Sequence, residues 1–399
     1  MVLLAINTTI VTTGIVVFLI VILILVGILL FAKAKLTGKG DLKISINNSN
    51  RIITTEPDSS LLSTLADSGA GSILPTETGF FSYKQQHENW RLACQVKVKE
   101  NIEMRIPESV MGIKKWECTV VSNRNISTFL KEFVVKLPEG ENLKFKSGGY
   151  IQIDVPALDV DFKDMIIDEK YKGDWEKMKM FDLKMHNPEP TYRAYSMANS
   201  PAEGNIIMLN IRIATPPFDR AAGAFAPVNP GICSSFIFSR KPGDKVTISG
   251  PYGEFFLRET NNEMMFIGGG AGMAPMRSHI FNLFHTIHTD RKVTFWYGAR
   301  ALQEAPYVDE FNKIQEENPN FHWTLALDRP DPVADAAGVA YKPGFVHQVI
   351  FENYLKNHEN PEDIEYYLCG PPMMIQAVTK MLYDLGVPDE NVMYDNFGG

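Results

Sequence analysis

Three stretches of this chain carry residue types suited to chemistry on a dinucleotide: Arg193-Ala-Tyr-Ser196, Gly268-Gly-Gly-Ala-Gly-Met-Ala-Pro275 and Cys369-Gly-Pro-Pro-Met-Met374. In the first, an Arg can fork onto a diphosphate and a Tyr can pack its ring on a flavin. A Ser hydroxyl there can reach the flavin N5 edge. In the second, glycines let backbone approach a pyrophosphate, and a following helix N-terminus adds a favourable dipole. The third has a thiol, a Gly and two prolines, with Pro placed to start a helix. Each fragment alone is weak, because Arg-x-Tyr-Ser is common by chance and the glycine run is not a strict G-x-G-x-x-G. Their order is the stronger signal, since the flavin-side motif precedes both dinucleotide-side motifs.

The elements around them must supply the right context. Trp116–Val121, Phe129–Lys136 and Tyr150–Val155 alternate with period two and predict strands. A charged and aromatic insertion, about Asp159 to Pro190, interrupts them. Met208–Ala214 follows as a strand bearing Arg212. Gly231-Ile-Cys-Ser-Ser-Phe236 then opens a helix whose free N–H groups and two hydroxyls suit a phosphate. Val246–Phe256 is expected to close this barrel. Beyond it, strands read at Met264–Ile267, Val293–Tyr297, Trp323–Leu327, Glu365–Cys369 and Asn391–Tyr394. Helical patterns lie between, including Met276, Ile280, Phe284 and Ile287. Such alternation predicts a parallel sheet with ligands at the strands' carboxyl ends, where both later motifs fall.

The N-terminal part differs. Residues 1–32 carry no charged side chain, and Ile10 to Ala32 is almost wholly apolar. As a helix this run spans roughly 35 Å, enough to cross a bilayer. Lys33, Lys35 and Lys39 follow, so the large C-terminal part is expected in the cytoplasm. After it, Lys43–Ile46 and Arg51–Thr54 alternate like a hairpin, Ser59 or Ser60 caps a helix, and Trp90–Val98 reads as a strand. The net charge of −8 argues against nucleic acid as a partner.

The pairing of Arg193–Ser196 with Gly231–Phe236 in one strand-rich region strongly resembles the ferredoxin–NADP⁺ reductase superfamily. Over its whole length, the chain resembles the F-subunit family of bacterial Na⁺-translocating NADH:quinone oxidoreductases. Arg193–Pro201, Asn210–Pro217, Ile267–Ile280 and Tyr367–Met374 carry this nearly residue for residue. The implied fold is multidomain, α+β and α/β: a transmembrane anchor (1–35), a ferredoxin-like β-grasp module (40–107), an antiparallel FAD-binding β-barrel (110–258) and a parallel α/β NAD-binding domain (262–399). The resemblance implies that Arg193, Ala194, Tyr195, Ser196, Asn210, Ile211, Arg212, Gly231, Ile232, Cys233, Ser234 and Ser235 hold FAD. It assigns NAD to Gly270, Ala271, Gly272, Met273, Ala274, Pro275, Arg300, Cys369, Gly370, Pro371 and Pro372. Phe397 matches an aromatic that covers the flavin, and Ser196, Cys369, Asp395 and Phe397 would surround the transfer point. Gln303 and Glu304, where a basic cluster would favour NADPH, favour NADH.

The same resemblance implies passage of electrons through a [2Fe–2S] cluster to other membrane subunits, in a single-pass protein of the bacterial inner membrane. Cys94 matches the last cluster ligand, in an Arg-Leu-Ala-Cys-Gln segment. A plant-type cluster needs a C-x4-C-x2-C loop as well, yet here the chain runs Ala66-Asp-Ser-Gly-Ala-Gly-Ser-Ile-Leu-Pro75. Ser68–Ser72 looks like a joint across a deletion. The chain has only four cysteines, Cys94, Cys118, Cys233 and Cys369, without paired spacing. Cys94 alone cannot hold the cluster. Two rival readings stay open: a membrane-anchored reductase serving an oxygenase or another acceptor, and a non-catalytic assembly component.

The cysteine count generates a direct expectation. Purified protein should contain no stoichiometric iron and, after dithionite reduction, give no [2Fe–2S] EPR signal; about two irons per chain would overturn this.

Overall fold

The computed structural model describes residues 16–27, 42–46, 51–55, 101–104, 114–219, 221 and 223–395. The chain divides into two units, Met1–Met111 and Gly112–Gly399.

In the first unit, residues 16–27 are helical, and the apolar side chains from Val16 to Val26 are exposed. Among the described residues, no helix is long and apolar enough to cross a membrane. The expected hairpin is present. Strand β1 (Leu42–Ile46) pairs antiparallel with β2 (Arg51–Thr55), Ile44 opposite Ile53. On its other edge β1 pairs parallel with β3 (Ile102–Met104). Ile44 is fully buried, so the alternation of the strand has one face inward. The helix expected after Ser59, the Ser68–Ser72 joint, the Trp90–Val98 strand and Cys94 lie outside the described residues.

The second unit contains two six-stranded sheets. The first is antiparallel, in the order β10-β5-β4-β13-β6-β9. Its members are β4 (Lys114–Ser127), β5 (Leu130–Lys136), β6 (Tyr150–Val155), β9 (Thr191–Ser196), β10 (Ile206–Arg212) and β13 (Lys245–Tyr252). Bulges in β4 at Val120/Ser122 and Asn125/Ser127 bend that long strand. The sheet closes where Met197 bridges Leu209 and the Ala198 N–H donates to the Met208 carbonyl at 2.7 Å. Closure therefore lies between β9 and β10. The strand expected to close the barrel, β13, is instead central, between β4 and β6.

The insertion is not a loose loop. Strands β7 (Leu158–Asp161) and β8 (Lys184–Asn187) form an antiparallel ribbon around helix α1 (Glu169–Lys177). Phe162, Tyr171, Trp175, Met180 and Met185 join the barrel core. Trp175 is fully buried; its indole N–H donates to the Thr128 carbonyl at 2.7 Å. A buried aromatic of this size needs such a partner for its N–H. Beyond β10, a short ribbon, β11 (Phe218–Asp219) and β12 (Ala224–Phe225), leads to helix α2 (Ile232–Ser239).

The second sheet is wholly parallel, ordered β17-β16-β15-β14-β18-β19. It comprises β14 (Met264–Gly269), β15 (Val293–Ala299), β16 (Phe321–Leu327), β17 (Lys342–Pro343), β18 (Glu365–Cys369) and β19 (Val392–Asp395). Five of these are legible as hydrophobic runs; β17, two residues long, is not. Helices α3 (Met273–Asn282), α4 (Val308–Glu317), α5 (Pro332–Ala337), α6 (Val346–Asn353) and α7 (Pro372–Asp384) connect the strands. The strand order reverses at β14, whose neighbours are β15 and β18, so a crevice is expected at their carboxyl ends. Met276, Ile280 and Phe284 are buried as expected, but Ile287 is exposed. A π-turn over Leu283–Ile287 adds a residue and rotates that side chain outward.

His279, on α3, is fully buried with the rings of Phe255, Phe266 and Tyr367 within about 6 Å. Burial pushes its pKa down to about 3 from an ordinary 6.5. The unfolded chain therefore binds this proton first, and stability falls as pH drops from 6.5 toward the folded value. One such proton contributes a slope of up to about 1.4 kcal/mol per pH unit. Urea midpoints taken down that range should fall less steeply in His279→Gln than in the parent chain; parallel curves would refute the assignment.

Candidate functional site

Two glycines shape the loop after β14. Gly270 has φ +55, a left-handed conformation that favours glycine, and its carbonyl accepts the Tyr297 hydroxyl at 3.1 Å. At Gly272 a Cβ would lie 2.0 Å from the Cys369 carbonyl oxygen. Only glycine lets these two strand-end loops touch. The Met273 N–H is bonded to the Gly270 and Ala271 carbonyls and Pro275 has no N–H, so the donors left for a ligand are those of the uncapped Gly270–Gly272 turn that leads into α3. Met273, Ala274 and Pro275 are buried and anchor that helix, while Gly270 and Ala271 are partly exposed.

Register then brings together residues expected at the transfer point. Gly268 stands opposite Cys369 in the β14–β18 pairing, and Cys369 opposite Asp395 in the β18–β19 pairing. Ser196, at the end of barrel strand β9, donates its hydroxyl to Asp395 Oδ2 at 2.8 Å. Burial raises the Asp395 carboxyl above its ordinary value, against the opposing pull of that hydroxyl. Burial, and then the Asp395 charge, raise the Cys369 thiol well above its usual range. Three of the four residues expected at the transfer point thus meet across the two sheets. The fourth, Phe397, lies outside the described residues. Gly370 packs beneath Met374, and Pro371 and Pro372 are exposed at the start of α7.

The barrel side supplies a set of donors. Arg193 and Ala194 are exposed on β9, while Tyr195 is partly buried. Helix α2 packs against β9, and the Arg193 charge acts on the thiol of Cys233 in its first turn. No side chain caps α2. The Ser234 hydroxyl is committed, accepting from the Ala214 N–H and donating to the Gly231 carbonyl, both at 3.1 Å. The Ser235 hydroxyl is buried without a partner. The backbone N–H groups of the first turn and the unpartnered Ser235 hydroxyl, rather than that of Ser234, are therefore the uncommitted donors. An exposed guanidinium beside an uncapped helix start fits a diphosphate, so these residues fit FAD. Ile211 is in the barrel core, Ile232 packs against it and Arg212 is exposed.

Some expected residues have structural partners. The Asn210 amide donates to the Tyr307 hydroxyl at 2.7 Å, and its own oxygen is buried without a partner. Gln303 Nε2 donates to Thr128 Oγ1 at 2.7 Å and to Asp174 at 2.8 Å; Glu304 accepts the Thr128 hydroxyl. Both residues used to favour NADH are thus tied to the barrel and its insertion. Arg300 is exposed after β15, where it adds to the effect of Arg329 in holding the Asp328 carboxyl low. Sequence reasoning missed Arg277 and Glu132, which are buried, and Glu203 and Tyr307, which are partly buried, on the seam between the sheets. For Arg277 and Glu132 the only sequence signal was charge inside an apolar helical or strand pattern.

An iron–sulfur cluster does not fit the donor set. Cys118, Cys233 and Cys369 are buried within the two sheets' packing, and burial pushes the first two thiols up to about 12 and about 11. Among the described residues no group of three or more His, Cys, Asp or Glu could hold a metal ion.

Comparison with known proteins agrees with this division. Residues 177–257 match the oxidoreductase FAD-binding domain and residues 266–380 the oxidoreductase NAD-binding domain. The chain is 50% identical over 409 residues to the F subunit of the Na(+)-translocating NADH-quinone reductase of Methylococcus capsulatus, covering 97% of this chain and 98% of the relative. It is 50% identical over 410 residues to the corresponding protein of Idiomarina loihiensis, with the same coverage. These alignments are longer than the 399-residue chain, so they include positions that it lacks. Among solved structures, a cytochrome P450 reductase of Amycolatopsis matches with TM-score 0.57 at 21% identity, covering 89% of this chain and 98% of that one. The ferredoxin reductase in carbazole 1,9a-dioxygenase matches with TM-score 0.53 at 23% identity, covering 90% and 99%. These structures share the fold.

Gly272→Ala is expected to push the two strand-end loops apart, an overpacking cost of about 1–3 kcal/mol. Because α2 and β9 are distant from that contact in the chain, FAD content should persist. Flavin content and the NADH concentration dependence of flavin reduction check this: unchanged NADH dependence would sink it.

Proposed function

The chain belongs to the F-subunit family of Na(+)-translocating NADH-quinone reductases, and on that premise we propose that it oxidises NADH at FAD, the entry step of electron delivery. The observation that carries this reading is the Ser196–Asp395 hydrogen bond, with Cys369 in register beside Asp395. It joins the end of a flavin-side strand to the end of the edge strand β19, next to β18, which borders the point where the parallel sheet reverses. Bound FAD supplies the hydride acceptor, N5, for nicotinamide C4.

The protein's part is binding and alignment. Arg193 and the start of α2 hold one diphosphate, while the Gly270–Gly272 turn that leads into α3 holds the other. Arg212, exposed at the end of β10, would join Arg193 on the FAD side. Ser196 keeps a hydroxyl at the transfer point, oriented by Asp395. Cys369 is a neutral thiol, fully buried beside Asp395. Phe397, which matches the family's flavin-covering aromatic, would cover the flavin until the nicotinamide binds. No general base is required.

Membrane attachment and partners complete the proposal. An apolar run from Ile10 to Ala32 followed by lysines supports a single-pass anchor with the two-sheet unit in the cytoplasm. Family membership supports assembly with other membrane subunits of a sodium-translocating, quinone-reducing complex. The thiol count supports a departure: electrons leaving FAD find no cluster in this chain.

The test is anaerobic mixing of flavin-loaded protein with NADH, alongside NADH:ferricyanide turnover. Flavin bleaching and turnover are expected; a flavin-free, inert protein would leave the assembly role instead. Ser196→Ala should lower the rate of flavin reduction about 10- to 100-fold, roughly 1.4–2.7 kcal/mol, at saturating NADH. Co-purification with membrane subunits of the complex separates this reading from an oxygenase reductase.

A further inference from the structure

Arg277 lies on the second turn of α3, five residues after Gly272, and its side chain is only 5% exposed. Its guanidinium makes bonds in two directions. Toward the barrel, Nη1 donates to the Ala198 carbonyl and to Glu203 Oε2, each at 3.0 Å, and Nη2 to Glu203 Oε1 at 2.9 Å. Toward the parallel sheet's own helices, Nη2 and Nε donate to Glu310 Oε2 at 2.9 and 3.2 Å. The planar group lies 3.9 Å from the Phe281 ring centroid and 5.2 Å from that of Tyr307. Next along the helix, the Ser278 hydroxyl donates to the Asn199 carbonyl at 2.8 Å.

These contacts close a ring. Ser196 bonds to Asp395, Asp395 pairs with Cys369, and the Cys369 carbonyl abuts Gly272. From Gly272 one and a half helical turns lead to Arg277, which holds Ala198, two residues beyond Ser196. On the NADH:FAD reading this ring borders the place where the two cofactors must meet. Besides the Ser196–Asp395 bond and the Ser278 bond to Asn199, its sides are backbone contact or strand register, and the Arg277 fork is its one charged tie. A lysine could supply charge there but not the planar fork. Removing the guanidinium would leave Glu203 with the Ser200 N–H alone and would take from the more exposed Glu310 its ion pair.

We propose that Arg277, clamped between Glu203 and Glu310, is a positioning residue that fixes the spacing between the end of β9 and the dinucleotide helix, and hence the alignment of nicotinamide and flavin for hydride transfer. This rests on the NADH:FAD reading above. Arg277 touches neither reacting group and acts through Ala198 and α3. Alignment is worth orders of magnitude in rate when a separation of about 3 Å must be held.

The test uses the full chain loaded with FAD, comparing the parent with Arg277→Lys, which keeps the charge, and Glu310→Gln, which loosens one arm. At a temperature well below each variant's unfolding, Arg277→Lys should reduce flavin at least tenfold more slowly at saturating NADH. The NADH concentration for half-maximal rate should stay within about threefold, because the phosphate-binding backbone is untouched. Two further readouts should move with it: the long-wavelength nicotinamide–flavin charge-transfer absorbance should fall, and the rate difference between NADH and C4-deuterated NADH should grow. Glu310→Gln should show the same changes at a smaller size, and it carries the test if Arg277→Lys does not fold. A lowered unfolding temperature with parental reduction rate, charge-transfer absorbance and isotope effect would show the clamp to be merely structural and overturn the proposal. Parent protein that is not reduced by NADH would instead defeat the underlying NADH:FAD reading.

Discussion

The contact on which the site depends is backbone against backbone: Gly272 beneath the carbonyl of Cys369. The two strands that carry these residues are neighbours in a parallel sheet, so their carboxyl ends arrive side by side without further cause. What is not automatic is that the loops leaving them stay in contact while one turns into a helix. A side chain on the first loop would hold the second away. With the gap closed, Cys369 keeps its register with Asp395, and Asp395 comes within reach of Ser196 from the barrel. The oxygen-rich ligands expected here are met by backbone N–H groups at uncapped helix starts, which need little sequence to specify them.

That division explains what could be read from the chain. The five longer parallel strands, the barrel strands flanking Arg193–Ser196 and the order of the motifs follow from period-two or continuous apolar runs bounded by glycine and proline. The meeting of Ser196, Cys369 and Asp395 was implied by the family resemblance and not by any local pattern. The insertion was different. Its charge and aromatic content read as an irregular interruption, yet Trp175 is as buried as any barrel residue because Thr128 offers a carbonyl and Phe238 a ring. Neither partner is near it in sequence.

The seam was the least legible part. Tyr307 adopts a left-handed backbone at the start of α4, and its hydroxyl donates to Glu132 while accepting from Asn210. Glu132 in turn accepts from Arg124 at 2.8 Å. Taken singly, each of these residues is an ordinary charged or polar position on a strand or helix. Their chemistry arises only when the two sheets face each other, and local pattern carries no information about that. Gln303 and Glu304, read as standing where a basic cluster would favour NADPH, are bonded to Thr128 and Asp174, partners that local pattern does not indicate.

The thiols complete the physical picture. A cysteine serves as metal ligand or nucleophile only as thiolate, and thiolate forms where positive charge or water stabilises it. Cys118, Cys233 and Cys369 occupy the opposite setting, and for Cys369 the neighbouring Asp395 adds negative charge to the cost of burial. At neutral pH Cys369 is therefore an uncharged group of modest size. The same burial raises the Asp395 carboxyl above its ordinary value, and the Ser196 hydroxyl opposes that rise. With a neutral thiol and a carboxyl already held by a hydroxyl at the expected transfer point, alignment, not acid–base or covalent chemistry, is what the surrounding residues supply.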